Sequence, residues 1–243
     1  MEKFDIILFS GRPGSGKSEV IDFLMKLPLE ERIRRYYVAD IVTIDDFEFL
    51  WEKGEEDDIY EELGFKRLFT IKHPTGYAVN NDLLYPFLIK KINIKFKKLF
   101  NKEPDLLEKK TLFIEFSRGG ENSYKKSYEA LSNDILEKAV AFYVQVSYEE
   151  SVRKNKKRYI EEAKESILFH SLPDFIMEKY KIDDWNELTR EKKECIEIKG
   201  YKIPYITFKN EPEITDKPEE IAKQLDKIIP PAYENYKKIK GKK

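Results

Sequence analysis

The stretch Gly11 to Ser18, GRPGSGKS, decides how this chain folds, because it meets G-x-x-x-x-G-K-[ST] at every fixed position. Upstream, Phe4 to Phe9 (FDIILF) is a short apolar run of the kind a strand buried on both faces requires. Downstream, between Ser18 and Lys26, Val20, Ile21, Leu24 and Met25 recur at helical spacing. The loop therefore joins a strand to a helix, the setting in which this pattern works.

The residue types state the chemistry. Gly11, Gly14 and Gly16 can take backbone angles closed to other residues, so successive N–H groups can turn inward around a polyphosphate, as in the Walker A loop. The helix that begins near Lys17 adds its N-terminal partial positive charge, worth about 0.3 to 1 kcal/mol at an exposed site. Lys17 is placed to reach the β and γ phosphates of ATP, and the Ser18 hydroxyl to ligate Mg²⁺. Gly11, Arg12, Pro13, Gly14, Ser15, Gly16, Lys17, Ser18 and Glu19 are the candidate nucleotide-binding residues.

Composition narrows the rest. A chain of 243 residues is long enough for one substantial α/β core. Charged residues make up 37% and nearly cancel, at a net charge of −1, so no global field points to nucleic acid or membrane. The single cysteine, Cys195, excludes a disulfide within the chain and forms no metal-ligand pair. The first apolar run is too short for a signal peptide, and no run reaches the 18 apolar residues a membrane span needs. A cytoplasmic protein with no membrane partner is the expectation.

Working outward, Tyr36 to Ile44 (YYVADIVTI) reads as a second buried strand ending at Asp45 and Asp46, where open α/β sheets hold their ligands. One of the two can cap a helix from Phe47 to Lys53 while the other faces the ligand. Glu55 to Glu62 (EEDDIYEE) lacks calcium-loop spacing and reads as a solvated loop or helix end. A turn at His73 to Gly76 leads into an amphipathic helix within Asn80 to Phe100. Thr111 to Phe116 (TLFIEF) is a third strand carrying Glu115, which suits magnesium support by direct or water-mediated contact.

Ser123 to Lys138 is helical by spacing, and Ala139 to Val146 is a fourth strand. The helix after it carries Arg153, Lys154, Lys156, Lys157 and Arg158, a cationic cluster suited to phosphate. Glu149 and Glu150, four residues before Arg153 and Lys154, offer an alternative as surface ion pairs. His73 and His170 read as structural. Trp185 to Cys195 reads as a short helix or loop, and Tyr201 to Phe208 as the fifth strand, at an edge or starting late because of Pro204. The last helix should end at Pro230 and Pro231, leaving a solvated basic tail.

In this order the elements resemble the P-loop kinase family of nucleoside, nucleotide and other small-metabolite kinases. The resemblance covers most of the chain, with the GRPGSGKS segment as its sharp part. It implies a three-layer α/β/α domain with a five-stranded parallel sheet, a helical acceptor-binding insertion at 47–100, a lid-like helical segment at 149–195 and a basic tail at 232–243. By the same resemblance Asp45 or Asp46 contacts or deprotonates the acceptor hydroxyl, and Glu115 and Arg118 match the family's acidic and arginine residues of strand three. Arg153 and Arg158 match its lid arginines, and Asn210 and Glu211 its adenine-contacting loop. The implied activity is transfer of the ATP γ-phosphoryl group to a hydroxyl or phosphate of a small molecule, with ATP and Mg²⁺ as cofactors.

The resemblance is incomplete: the strand-three acid is Glu rather than Asp, and Gly54 to Lys72 has no counterpart. A GTPase would need an Asn-Lys-x-Asp guanine reader, and Asn101 to Asp105 is one residue too long for it. An ATPase, or a kinase acting on RNA, tRNA or a sugar nucleotide, is the competing reading.

Overall fold

The computed structural model describes residues 2–74, 76–162, 172–190 and 194–241, with the backbone alone for 158–162. The strands are β1 (Ile6–Gly11), β2 (Asp40–Asp45), β3 (Thr70–His73), β4 (Gly76–Val79), β5 (Lys110–Phe116), β6 (Ala139–Gln145), β7 (Cys195–Ile198) and β8 (Tyr201–Lys209). The first helices are α1 (Lys17–Lys26), α2 (Leu29–Tyr36), α3 (Asp46–Glu62), α4 (Leu84–Lys102), α5 (Leu106–Lys109) and α6 (Ser123–Ala130). They are followed by α7 (Asn133–Lys138), α8 (Tyr148–Glu162), α9 (Asp174–Met177), α10 (Trp185–Arg190) and α11 (Pro218–Lys240), with a 3-10 turn at Glu178–Lys181.

The main sheet runs β2-β5-β1-β6-β8-β7 and is parallel except for β7. It has six strands, not the five expected. The sixth, β7, joins β8 through a two-residue turn at Lys199 and Gly200, both at positive φ (51° and 81°), a turn whose twist suits a hairpin. Its four residues are too short a run for alternation to be read, although Cys195, Ile196 and Ile198 are buried and Glu197 is exposed. β8 starts at Tyr201 and lies inside the sheet, so neither an edge position nor a late start holds: Tyr201 to Pro204 pair with the edge strand β7, and the pairing with β6 begins just past Pro204, at Tyr205.

Because β1 is central, its side chains feed two cores. Ile6 and Leu8 face one beneath α3, α4, α6 and α7, while Ile7 and Phe9 face the other beneath α1, α2 and α11. An uninterrupted apolar run is what a strand with two covered faces needs.

Two expectations about helices fail for packing reasons. α11 continues through Pro230 and Pro231 to Lys240. Each proline removes a helical N–H and crowds the preceding turn, yet the last turns bury Tyr233 and Tyr236 against Phe4, with ring centroids 5.0 Å apart in both pairs. Tyr236 Oη also accepts from Asp5 N (3.2 Å) and donates to the Lys138 carbonyl (3.0 Å). The tail is therefore packed helix as far as Lys240, and Lys242 and Lys243 lie outside the described residues.

The insertion is likewise not wholly helical, since β3 and β4 form an antiparallel hairpin between α3 and α4. Asp57, inside the acidic run, is fully buried and accepts from the Leu68 (2.8 Å), Phe69 (3.0 Å) and Thr70 (2.6 Å) amides and from Thr70 Oγ1 (2.7 Å). Burial opposes its charge, but these bonds prevail and hold the carboxyl below its ordinary range. Gly54 lets α3 approach the hairpin, as a Cβ there would meet the Tyr77 ring at 2.1 Å. No helix among the described residues is long and apolar enough to cross a membrane.

Candidate active site

The carboxyl ends of β1, β2 and β5 meet at one end of the sheet, and the loop leaves β1 there. Gly16, the residue before α1, has φ 102°, and a Cβ on it would lie 2.5 Å from Asn210 Nδ2. Only glycine fits such a position. Neighbouring elements brace the loop from outside. Asn210 Nδ2 donates to the Ser15 carbonyl (2.7 Å), Ser151 Oγ to the Pro13 carbonyl (2.7 Å), and Tyr124 Oη accepts from the Gly11 amide (3.1 Å).

Arg12 turns away from the loop interior. Its guanidinium pairs with Asp183 (2.7 Å) and donates to the Tyr180 (2.8 Å) and Val146 (2.9 Å) carbonyls. Asp183 in turn accepts from Tyr143 Oη (2.9 Å) and the Trp185 amide (3.1 Å). Lys17 Nζ instead lies over the loop, donating to Ser117 Oγ (2.8 Å) and the Arg12 carbonyl (3.2 Å), with Glu115 Oε1 at 4.0 Å.

A cleft of about 180 Å³ opens beside Lys17. It is lined by loop residues Pro13 to Ser18, by Asp45, Asp46, Glu115, Ser117 and Arg118, and by apolar residues of α3, β4, α4 and α9 with Tyr180. Register brings the acids together, since β2 pairs with β5 at Asp45 opposite Glu115.

Burial, then Glu115, then Asp46 push the Asp45 carboxyl well above its ordinary range, against the Phe47 amide that it caps (2.9 Å) and Lys17. Asp46 is raised by burial, opposed by Arg118, whose Nη2 lies 2.6 Å from Asp46 Oδ2. The Arg118 guanidinium sits over the rings of Tyr85 (5.0 Å) and Phe116 (5.3 Å), and its amide donates to Tyr124 Oη (3.4 Å).

A hydroxyl at Ser18 and a carboxylate at Glu115 are hard oxygen donors of the kind Mg²⁺ takes, one or two from protein and the rest from phosphate and water. Among the described residues no group of three or more His, Cys, Asp or Glu side chains is gathered to hold a metal by itself. The donor set fits an ion shared with a polyphosphate.

Pro13, Gly14, Ser15, Gly16, Lys17, Ser18, Asp45, Asp46, Glu115 and Arg118 thus converge, as read from the sequence. Gly11, Arg12, Glu19, Asn210, Glu211 and Arg153 are not among the cleft-lining residues. Asn210 braces the loop, Glu211 accepts from Ser147 N (2.7 Å), and Arg153 is ion-paired, but with Glu150 three residues before it and with Glu213, both at 2.7 Å, rather than with Glu149, while Lys154 pairs with Glu213 (2.9 Å) rather than with Glu150. The Arg158 side chain and His170 lie outside the described residues.

Sequence reasoning missed Ser117, Tyr124 and Asp183. Ser117 lies two residues after Glu115, just past the end of β5, and could have been found by its place there. Tyr124 looked like one of a helix's apolar positions, and nothing local ties Asp183 to Arg12.

Strand, glycine loop, Lys-Ser pair and helix, set at the carboxyl ends of a mostly parallel sheet, make this a P-loop α/β protein, like the P-loop kinases its sequence resembles. No family model matches the chain, and no curated protein does. Solved structures similar to it include a gluconokinase from Sinorhizobium meliloti 1021, 13% identical, covering 98% of this chain and 95% of that one with a TM-score of 0.43. A sugar kinase from Janibacter sp. HTCC2649 is 11% identical, covering 95% and 98% with a TM-score of 0.41. TT1252 from Thermus thermophilus is 17% identical, covering 93% and 96% with a TM-score of 0.42. Likenesses this distant say nothing of the reaction, which has to be argued from the cleft.

Proposed function

We propose that this protein transfers the γ-phosphoryl group of ATP to a hydroxyl of a small molecule. The observation that supports the reading is one cleft whose lining joins the loop residues Pro13 to Ser18 and Asp45 to apolar residues of α3, β4 and α4, which form its chamber. A protein that only hydrolysed ATP would have no use for the chamber.

Phosphoryl transfer needs alignment and charge neutralisation more than covalent help. The loop amides and Lys17 hold the phosphates and offset the charge that grows on the transferring group. Ser18 and Glu115 would hold Mg²⁺, which would supply further charge neutralisation. Asp45, fixed as the cap of α3, accepts the hydroxyl proton. Asp46 and Arg118 orient the acceptor. Arg153 and Arg158 on α8 are proposed to meet the phosphates, and Asn210, which braces the loop, and Glu211 to border the adenine.

The test is incubation of the protein with γ-labelled ATP and a small-molecule metabolite extract. Label entering an organic product supports transfer. Label appearing only as inorganic phosphate, whatever is added, supports the ATPase reading instead.

A further inference from the structure

The chamber side of the cleft has a chemistry that limits what can enter it. Phe47 and Leu50 of α3, Val79 of β4, Tyr85 and Leu88 of α4, and Tyr180 give it apolar, partly aromatic walls. Against such walls a flat ring buries apolar area and finds stacking or edge-on partners. Among the described residues the charged groups lining the cleft are Lys17, Asp45, Asp46, Glu115 and Arg118, of which Arg118 lies over the Tyr85 and Phe116 rings and pairs with Asp46.

Arg118 is already engaged. It is 3% exposed, its Nη2 is 2.6 Å from Asp46, and its face lies over Tyr85 and Phe116. A phosphate or carboxylate brought to that cation would share it with Asp46 and stand beside Asp45, so that three anionic groups would face one guanidinium. Crowding like charges in this way is strongly unfavourable. Arg118 Nη1 donates to the Ser117 carbonyl (2.7 Å), while its buried Nε and Nη2 make no hydrogen bond among the described residues, Nη2 meeting Asp46 as an ion pair; Nε suits an uncharged hydroxyl or carbonyl oxygen.

We infer that the acceptor is an uncharged alcohol carrying a flat ring system, and that the Asp46–Arg118 pair excludes acceptors already bearing a phosphate or carboxylate. The inference rests on the phosphotransferase reading above. In the step, the acceptor oxygen bonds to the γ-phosphorus as the bond from that phosphorus to the β,γ-bridging oxygen breaks. The bridging oxygen keeps the electron pair and leaves with ADP, and the hydroxyl proton passes to Asp45.

The experiment divides a small-molecule extract by ion exchange at neutral pH into uncharged and anionic fractions, and incubates each with the full chain and γ-labelled ATP. The expected result is labelled product from the uncharged fraction, from compounds that a reversed-phase column retains before the reaction. Asp46→Asn releases the guanidinium, and should shift the ratio of the two rates toward the anionic fraction by about tenfold, equivalent to about 1.4 kcal/mol at the barrier. A pair with a purely structural role would lower both rates together and leave the ratio unchanged, and thermal denaturation reports whether the variant folds.

Label entering only anionic acceptors, or only compounds that the reversed-phase column does not retain, overturns the inference, as does an unchanged ratio in folded Asp46→Asn. If neither fraction takes label although the protein still binds a non-hydrolysable ATP analogue, the phosphotransferase reading itself falls, and the two failures are told apart.

Discussion

Asp45 carries two jobs whose energetics oppose each other. Its position between Glu115 and Asp46 makes it a good proton acceptor, and the same position makes its charge costly to bury. A carboxyl whose folded value is raised contributes stability that is fully present below its unfolded value and is lost as pH rises through the folded one. Asp45→Asn keeps the cap on Phe47, since Asn caps a helix about as well as Asp. The variant should therefore be more stable than wild type at neutral pH, the two should converge at acid pH, and thermal melts across pH check this. Its turnover should fall about 10²- to 10⁴-fold, the usual contribution of a general base. Wild-type kcat/KM should fall as pH drops through a value above the ordinary carboxylate range, because the base must be ionised.

Tyr124 belongs to the same scale. Tyr124→Phe leaves the Gly11 and Arg118 amides without their shared acceptor. Turnover should drop about tenfold while KM for ATP moves less, since about 1 to 1.5 kcal/mol of positioning is lost. Steady-state kinetics with ATP varied separates the two effects.

The α3–hairpin–α4 insertion shapes the chamber and hangs on Asp57. Asp57→Ala would strand the Leu68, Phe69 and Thr70 amides and should cost about 3 kcal/mol, read as a lower denaturant midpoint. Because the Asp57 carboxyl is held low, its contribution is present above the unfolded value and lost as pH falls through the folded one, so the gap between variant and wild type should narrow in acid.

This element was the least legible in the sequence. Its acidic run looked like a solvated face, and three exposed carboxylates around a buried one give no local sign of which turns inward. The hairpin was hidden because its two strands are four residues each. By contrast β1, α1, β5 and β6 were legible from long apolar periods, and the loop from its fixed residues. α11 was misjudged at Pro230 because a local rule about proline was outweighed by Tyr233 and Tyr236 packing on Phe4, a partner more than 220 residues away.

Across the whole molecule, the sheet brings together groups far apart in the chain: Lys17 from β1 and α1, Asp45 from β2, Glu115 and Arg118 from β5, and Tyr180 from beyond α8. The acids and Lys17 could be picked out beforehand because they end apolar strands. Arg12 could not be placed, since its partner Asp183 becomes a neighbour only when β6 sets the 3-10 turn against the loop. That outward turn leaves Lys17 as the loop's own cation on the cleft, where the proposed reaction needs it.

Isothermal titration of a non-hydrolysable ATP analogue with Mg²⁺ into wild type and Lys17→Ala tests this centre most directly. One analogue should bind per chain in wild type, and Lys17→Ala, folded by its melting curve, should bind at least about tenfold more weakly, a loss of about 1.4 kcal/mol. No binding to the folded wild type, or equal binding to both proteins, would contradict the account.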